Sequence, residues 1–158
     1  LEVPNLHLRE LPDNRLDSVD LLDIVKIVEE IVAESDPEVI YTHSGTDLNV
    51  DHRIVHQAVL TATRPGASNR VKEIYGCEIP SSTEWSFGEI NGTFDPKTFV
   101  DVSDTLEKKI GAMERYESEV RDFPHPRTPK GIRALAQYRG YQSGYQAAEA
   151  FEPIRVLK

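Results

Sequence analysis

The sequence is short of several things, and each shortage removes a class of protein. One cysteine, Cys77, stands among 158 residues. No internal disulfide can form, which fits a reducing compartment, the cytoplasm. Cys77 lies in an apolar run and reads as a small buried hydrophobe. No apolar run approaches the roughly 18 residues of a membrane helix, so no membrane span is expected. Positive charge is scarce: 18 Lys and Arg against 27 Asp and Glu leave a net charge of -9. Nucleic acid is therefore not expected as a partner, because a phosphate-binding surface needs clustered basic residues. Glycine-rich phosphate loops are absent, and Gly140 and Gly144 are too sparse for a nucleotide fingerprint. No serine occupies a nucleophile elbow, and paired cysteines for a zinc knuckle are missing.

What is present is ordinary globular composition, 39% hydrophobic and 28% charged. Residues 1–158 are long enough for a single domain with a real core. Residues 6–11 alternate apolar and polar, the pattern of a half-buried strand, with His7 on the polar side. A broad apolar face from Leu21 to Val32 predicts a helix lying flat on a sheet, ended by Asp36-Pro37. Residues 38–43 follow as a strand without strict alternation, as expected for one covered on both faces. The strand over 6–11, the helix after it and the strand over 38–43 have the order and length of a parallel crossover unit. A helix over 51–63 and a third strand over 71–79 follow. Residues 84–87 read as an irregular strand and 99–102 as a short one. Asp104 to Glu107 has the spacing of a capping box at the head of a helix. A further helix spans about 129–139, and 147–156 reads as a helical turn leading into a short strand. The fold class is α/β, with a parallel sheet flanked by helices.

Chemistry concentrates in one stretch, residues 41–53 (Tyr-Thr-His-Ser-Gly-Thr-Asp-Leu-Asn-Val-Asp-His-Arg). It joins a strand to a helix at the strand's C-terminal end, the edge where open α/β sheets bind ligands. If Asn49 caps the helix, His52 sits in its first turn, where the positive end of the helix favours a neutral imidazole able to bind a metal. Asp51, one residue earlier, is placed to orient a ring or accept a proton. The plainer reading is a polar helix start in which Asn and Asp cap and His52 is incidental. His52 and His56 share a helix face, but Arg53 stands where the zinc-protease pattern needs Glu, so His56 packs or faces solvent. His43 ends the strand, either in a site or as a satisfied structural histidine. His125, between two prolines, and Arg127 form a stiff loop that either presents both groups to a ligand or simply turns the chain.

Taken in order, Pro12-Asp13-Asn14-Arg15-Leu16, Thr42-His43, Asp47 to Arg53, His125-Pro126-Arg127 and Ala148-Glu149-Ala150-Phe151 resemble the LmbE-like, or PIG-L, family of zinc-dependent N-deacetylases. The resemblance covers nearly the whole chain. It implies a Rossmann-like fold and Zn2+ at the C-terminal ends of the strands. It also implies hydrolysis of the N-acetyl group of an N-acetylated amino sugar or glycoconjugate. His52 maps to one zinc ligand. The family's His-Pro-Asp-Asp-Glu motif, which holds the other two ligands and the general base, does not occur in this sequence. The chain, opening at Leu1, is accordingly expected to be the C-terminal roughly two thirds of the family domain, lacking about two βα units. A further N-terminal segment or a second chain would complete it, and a homo-oligomer is left open.

The resemblance gives Asp51 a place beside the ligand His52, and gives His43 and Arg127 the sugar pocket. Asn49 stands where many members have His, so His125 becomes the candidate general acid, with Asn49 assisting at the oxyanion. The alternatives are a non-catalytic carbohydrate-binding or structural module of the same fold, and a metallohydrolase of another substrate.

Overall fold

The apolar stripe of the first helical run forms α1 (Leu21–Ser35) in the computed structural model, which describes residues 3–158. Asp36 closes α1 in the left-handed region at φ 43°, its N–H donating to Val32 O, and Pro37 forbids continuation. β1 (Val39–His43), α2 (Val50–Ala62) and β2 (Glu73–Cys77) follow. β1 and β2 pair in parallel, with His43 opposite Cys77, as the crossover requires. Then come β3 (Thr98–Asp101), α3 (Leu106–Met113), α4 (Pro129–Ser143) and β4 (Ala148–Val156). β3 and β4 pair antiparallel, Thr98 opposite Phe151 and Asp101 opposite Ala148. The strand order is β1-β2-β4-β3. The α/β class holds, and the four-stranded sheet is mixed.

The chain divides into two compact units, Asn5–Asp95 with Glu152–Lys158, and Pro96–Phe151 with residues 3–4. The first is built around α1 and α2. Leu16, Ile24, Val25, Ala58 and Ala62 form one apolar cluster, and Val32, Val59, Val71 and Ile74 a second. Small alanines on α2 let α1 approach closely. Ile74 is 0% exposed, and burial of such a side chain stabilises by roughly 1.5–3 kcal/mol. In the second unit Leu106 and Ile110 of α3 pack on Ile132 and Ala136 of α4. Thr128 caps α4, its hydroxyl accepting the Gly131 N–H at 2.9 Å, and Pro129 stands in the first turn, where its missing N–H costs nothing.

Several local expectations change. Residues 6–11 form no strand; Leu6 and Leu8 are each 76% exposed while His7 is half-buried near Glu34. Alternation alone makes no strand without a ladder partner. Residues 84–86 form a 3-10 turn. The segment read as a helical turn near Ala147 is strand from Ala148 onward. α3 starts after Thr105 with no side-chain cap, and Glu107 instead pairs with Arg133 of α4. α4 runs on to Ser143, where Gly144 stops it at φ 81°, a value that suits glycine. β1 is covered on one face only: Val39 and Tyr41 are exposed, and Tyr41 stacks on Tyr75 of β2.

Candidate active site

β1 ends at His43, and the chain then makes a loop held both by local side-chain turns and by bonds to distant segments. Asp47 Oδ1 accepts the Asn49 N–H at 2.8 Å, and Asn49 Oδ1 accepts the Asp51 N–H at 2.8 Å, capping α2. Two successive side-chain turns of this kind fix the backbone into the helix. Arg53, one turn in, reaches back to the carbonyls of Asp47 and Leu48 at 2.7 and 2.5 Å.

Two of the expected site residues hold structure. Asp51 Oδ1 accepts the Leu16 N–H at 2.9 Å, and Asn49 Nδ2 donates to Asn14 Oδ1 at 3.0 Å. The loop thereby ties down the segment before α1. The carboxylate beside the His52 ring is instead Asp47, whose Oδ1 lies 3.0 Å from His52 Nδ1. That contact is close but bent, off the ideal line of a ring N–H.

Asp47 is 0% exposed. Burial pushes its carboxyl up. The contacts from His52, Ser82, Thr83 and the Asn49 N–H outweigh that and hold it at about 2. Thr83 Oγ1 donates to Asp47 Oδ2 at 2.7 Å, and the Ser82 hydroxyl donates to Oδ1. Sequence reasoning gave Ser82 and Thr83 no role, and gave Asp47 none beyond membership of the motif. Only the position of Asp47, two before the cap, carried a signal.

The His43 ring lies flat on His52, centroids 4.1 Å apart and planes 10° apart. Its Nδ1 is buried with no hydrogen-bond partner. Burial, with His52 and His56 nearby, lowers its pKa to about 4 despite Asp47, so the ring is neutral at pH 7. His56 Nδ1 bonds the His43 carbonyl at 2.8 Å, which makes it a brace for the strand end. A Cβ at Gly45 would stand 3.0 Å from His56 Nε2, so the ring would have to give by a few tenths of an ångström. Beyond His56 opens a cavity of about 590 Å³, with Arg53, Gln57, Asn91 and Glu152 among its polar lining and Ile54 and Leu60 among its apolar lining.

His125 and Arg127 belong to the other unit. The Arg127 N–H donates to His125 Nδ1 at 3.2 Å, so a neutral His125 ring carries its proton on Nε2. The Arg127 guanidinium pairs with Glu119. Among the described residues, no group of three or more His, Cys, Asp or Glu is arranged to hold a metal ion. His52, a carboxylate-contacted imidazole at the sheet's carboxyl edge, suits one coordination position.

Residues 1–63, which contain His43, Asp47 and His52, match the PIG-L family, GlcNAc-PI de-N-acetylase. The LmbE-like, PIG-L resemblance thus stands on that segment, while likeness of fold extends over most of the chain. The conserved protein TT1542 from Thermus thermophilus is 21% identical, with a TM-score of 0.70 over 94% of this chain. GalB, the 4-carboxy-2-hydroxymuconate hydratase from Pseudomonas putida, is 20% identical, with a TM-score of 0.64 over 87%. The N,N'-diacetylchitobiose deacetylase from Pyrococcus horikoshii is 18% identical, with a TM-score of 0.63 over 96%. The chain spans 65%, 61% and 55% of those three chains. Among curated proteins, none matches it in sequence. No helix among the described residues is long and apolar enough to cross a membrane.

Proposed function

We propose that this chain is part of a zinc-dependent N-deacetylase of the LmbE-like type, acting on an N-acetylated amino sugar or glycoconjugate in the cytoplasm. One observation carries the reading. The segment matching the de-N-acetylase family holds an imidazole, His52, in contact with a fully buried carboxylate at the sheet's carboxyl edge. The deacetylase from Pyrococcus horikoshii shares the fold, but so does a hydratase, so the fold alone does not choose.

In this reading His52 supplies one zinc ligand, and the other donors come from residues outside these 158, in the same polypeptide or a second chain. Bound zinc would polarise the acetyl carbonyl and lower the pKa of water. The chain's own residues bind, orient and move protons. Asn49 offers its remaining N–H to the developing oxyanion, and His125, with its proton on Nε2, is the candidate proton donor of its own unit. Asp51 fixes the α2 N-terminus on which His52 rides. His43 borders the sugar, and Arg127 is the candidate substrate contact of the other unit. The cavity beside His56 has the mixed polar and apolar lining that suits the remainder of such a substrate.

The test is deacetylation of N-acetylglucosamine conjugates by the full-length protein. Release of acetate that falls at least a hundredfold in His52→Ala supports the reading. Equal acetate release by the variant, or none by the zinc-loaded wild type on any N-acetyl sugar, contradicts it.

A further inference from the structure

We propose that Asp47, locked in place by Ser82 and Thr83, is the positioning residue that sets the tautomer of His52, with the proton on Nδ1 and the lone pair on Nε2. The argument is an accounting of hydrogens. Thr83 Oγ1 accepts the Ile79 N–H at 2.7 Å, so its own proton is free to go to Asp47 Oδ2. The Ser82 hydroxyl and the Asn49 N–H both donate to Oδ1. A carboxylate surrounded by donors on both oxygens has no proton to give. The nitrogen 3.0 Å from Oδ1 meets that oxygen at a bent angle and makes no regular hydrogen bond, but it is the one that carries the proton, because a bare Nδ1 would hold its lone pair against the carboxylate. The remaining nitrogen, Nε2, is left basic, which is the form a metal-binding imidazole needs.

The clamp is itself built to be stiff. Leu48 N–H donates to the Ser82 carbonyl at 3.3 Å, so the two loops are joined by backbone as well as by side chains. Glu84 accepts the N–H groups of Ser81 and Ser82 at 2.6 and 3.3 Å, which holds the second loop from behind. The two loops are 35 positions apart in sequence, so the device exists only in the folded chain. It assigns Ser82 and Thr83 a purpose in the site without any contact to substrate or metal.

The inference rests on the deacetylase reading only for what Nε2 does, so tautomer and metal are measured separately. The full-length protein, stripped of metal and labelled with 15N at histidine, reports the tautomer of each ring by NMR, with His52→Ala assigning the resonance. The expected result is an Nδ1-protonated His52 in the wild type. Asp47→Asn preserves it, since an amide oxygen still faces His52 Nδ1 and the amide nitrogen can donate to Thr83 Oγ1. Asp47→Leu moves the ring towards the Nε2-protonated form. Should Asp47→Leu not fold, the Ser82→Ala/Thr83→Val pair, which keeps the carboxylate, is expected to give a mixture of the two forms. An Nε2-protonated wild type, or a tautomer unmoved by both Asp47→Leu and the paired variant, overturns the proposal. Zinc titration then reads the second step, with Asp47→Leu weakening binding about 10–100-fold and Asp47→Asn much less. A correct tautomer with no zinc binding in any form would refute the metal reading and leave the positioning intact.

Discussion

His43 and His52 lie ring on ring, 4.1 Å between centroids and 10° between planes. An imidazole binds zinc through a lone pair in its own plane, at about 2.0–2.1 Å. Two rings stacked in this way direct their lone pairs side by side, and one ion cannot sit in both planes. On the proposed reading His43 is therefore a wall of the site and a support for His52, and would not be a second ligand on the same ion. A flat apolar ring should replace it. His43→Phe is expected to retain zinc stoichiometry, with KM for the sugar carrying any loss, whereas His43→Ala loosens His52 and lowers zinc affinity. Metal analysis and steady-state kinetics of the two variants check this.

Asp51 distinguishes a structural carboxylate from a proton-transfer group. Its observed partner is the Leu16 N–H, and an amide oxygen accepts that bond as well as a carboxylate does. Asp51→Asn should hold its stability within about 0.5 kcal/mol, while Asp51→Ala, which leaves that N–H unsatisfied, costs about 1–3 kcal/mol in denaturant unfolding. Activity should follow stability. Loss of activity in a stable Asp51→Asn would return the acid–base role to this residue.

Gly131 carries the loop that holds His125. A Cβ there would stand 2.3 Å from the Pro126 carbonyl oxygen, a backbone atom that cannot swing aside. Gly111, in the middle of α3, has nothing within 4 Å of a Cβ. Gly131→Ala should therefore lower Tm and activity together by displacing the loop. Gly111→Ala should gain about 0.5–1 kcal/mol from helix propensity alone. Thermal unfolding of both variants tests the close approach of the loop to α4.

The parts of the chain legible from sequence were those decided locally. The succession α1, β1, α2, β2 follows from periodicity, and the α2 N-terminus follows from Asn49, whose cap is bonded two residues away. The crossover read from residues 6–11 to 38–43 does not form, and the parallel pair is β1 with β2. Non-local partners decided the rest. Residues 6–11 alternate correctly but find no strand to pair with. Ala148 and Ala150 suit a helix by propensity, yet they lie in the ladder opposite Asp101 and Phe99, and tertiary pairing overrides that preference. In the site the motif pointed to His52. The carboxylate serving it was invisible in spacing, because Asp51 adjoins His52 along the chain whereas Asp47 adjoins it in space. Ser82 and Thr83 lie in a stretch with no periodicity at all.

The central claim is that His52 is a metal ligand, and the most direct measurement is anomalous scattering at the zinc edge from crystals of the full-length protein. The account predicts zinc bonded to Nε2 of His52 at about 2.0–2.1 Å, with Nδ1 still facing Asp47. Zinc bound elsewhere with the His52 ring uncoordinated, or no zinc after loading, would contradict it.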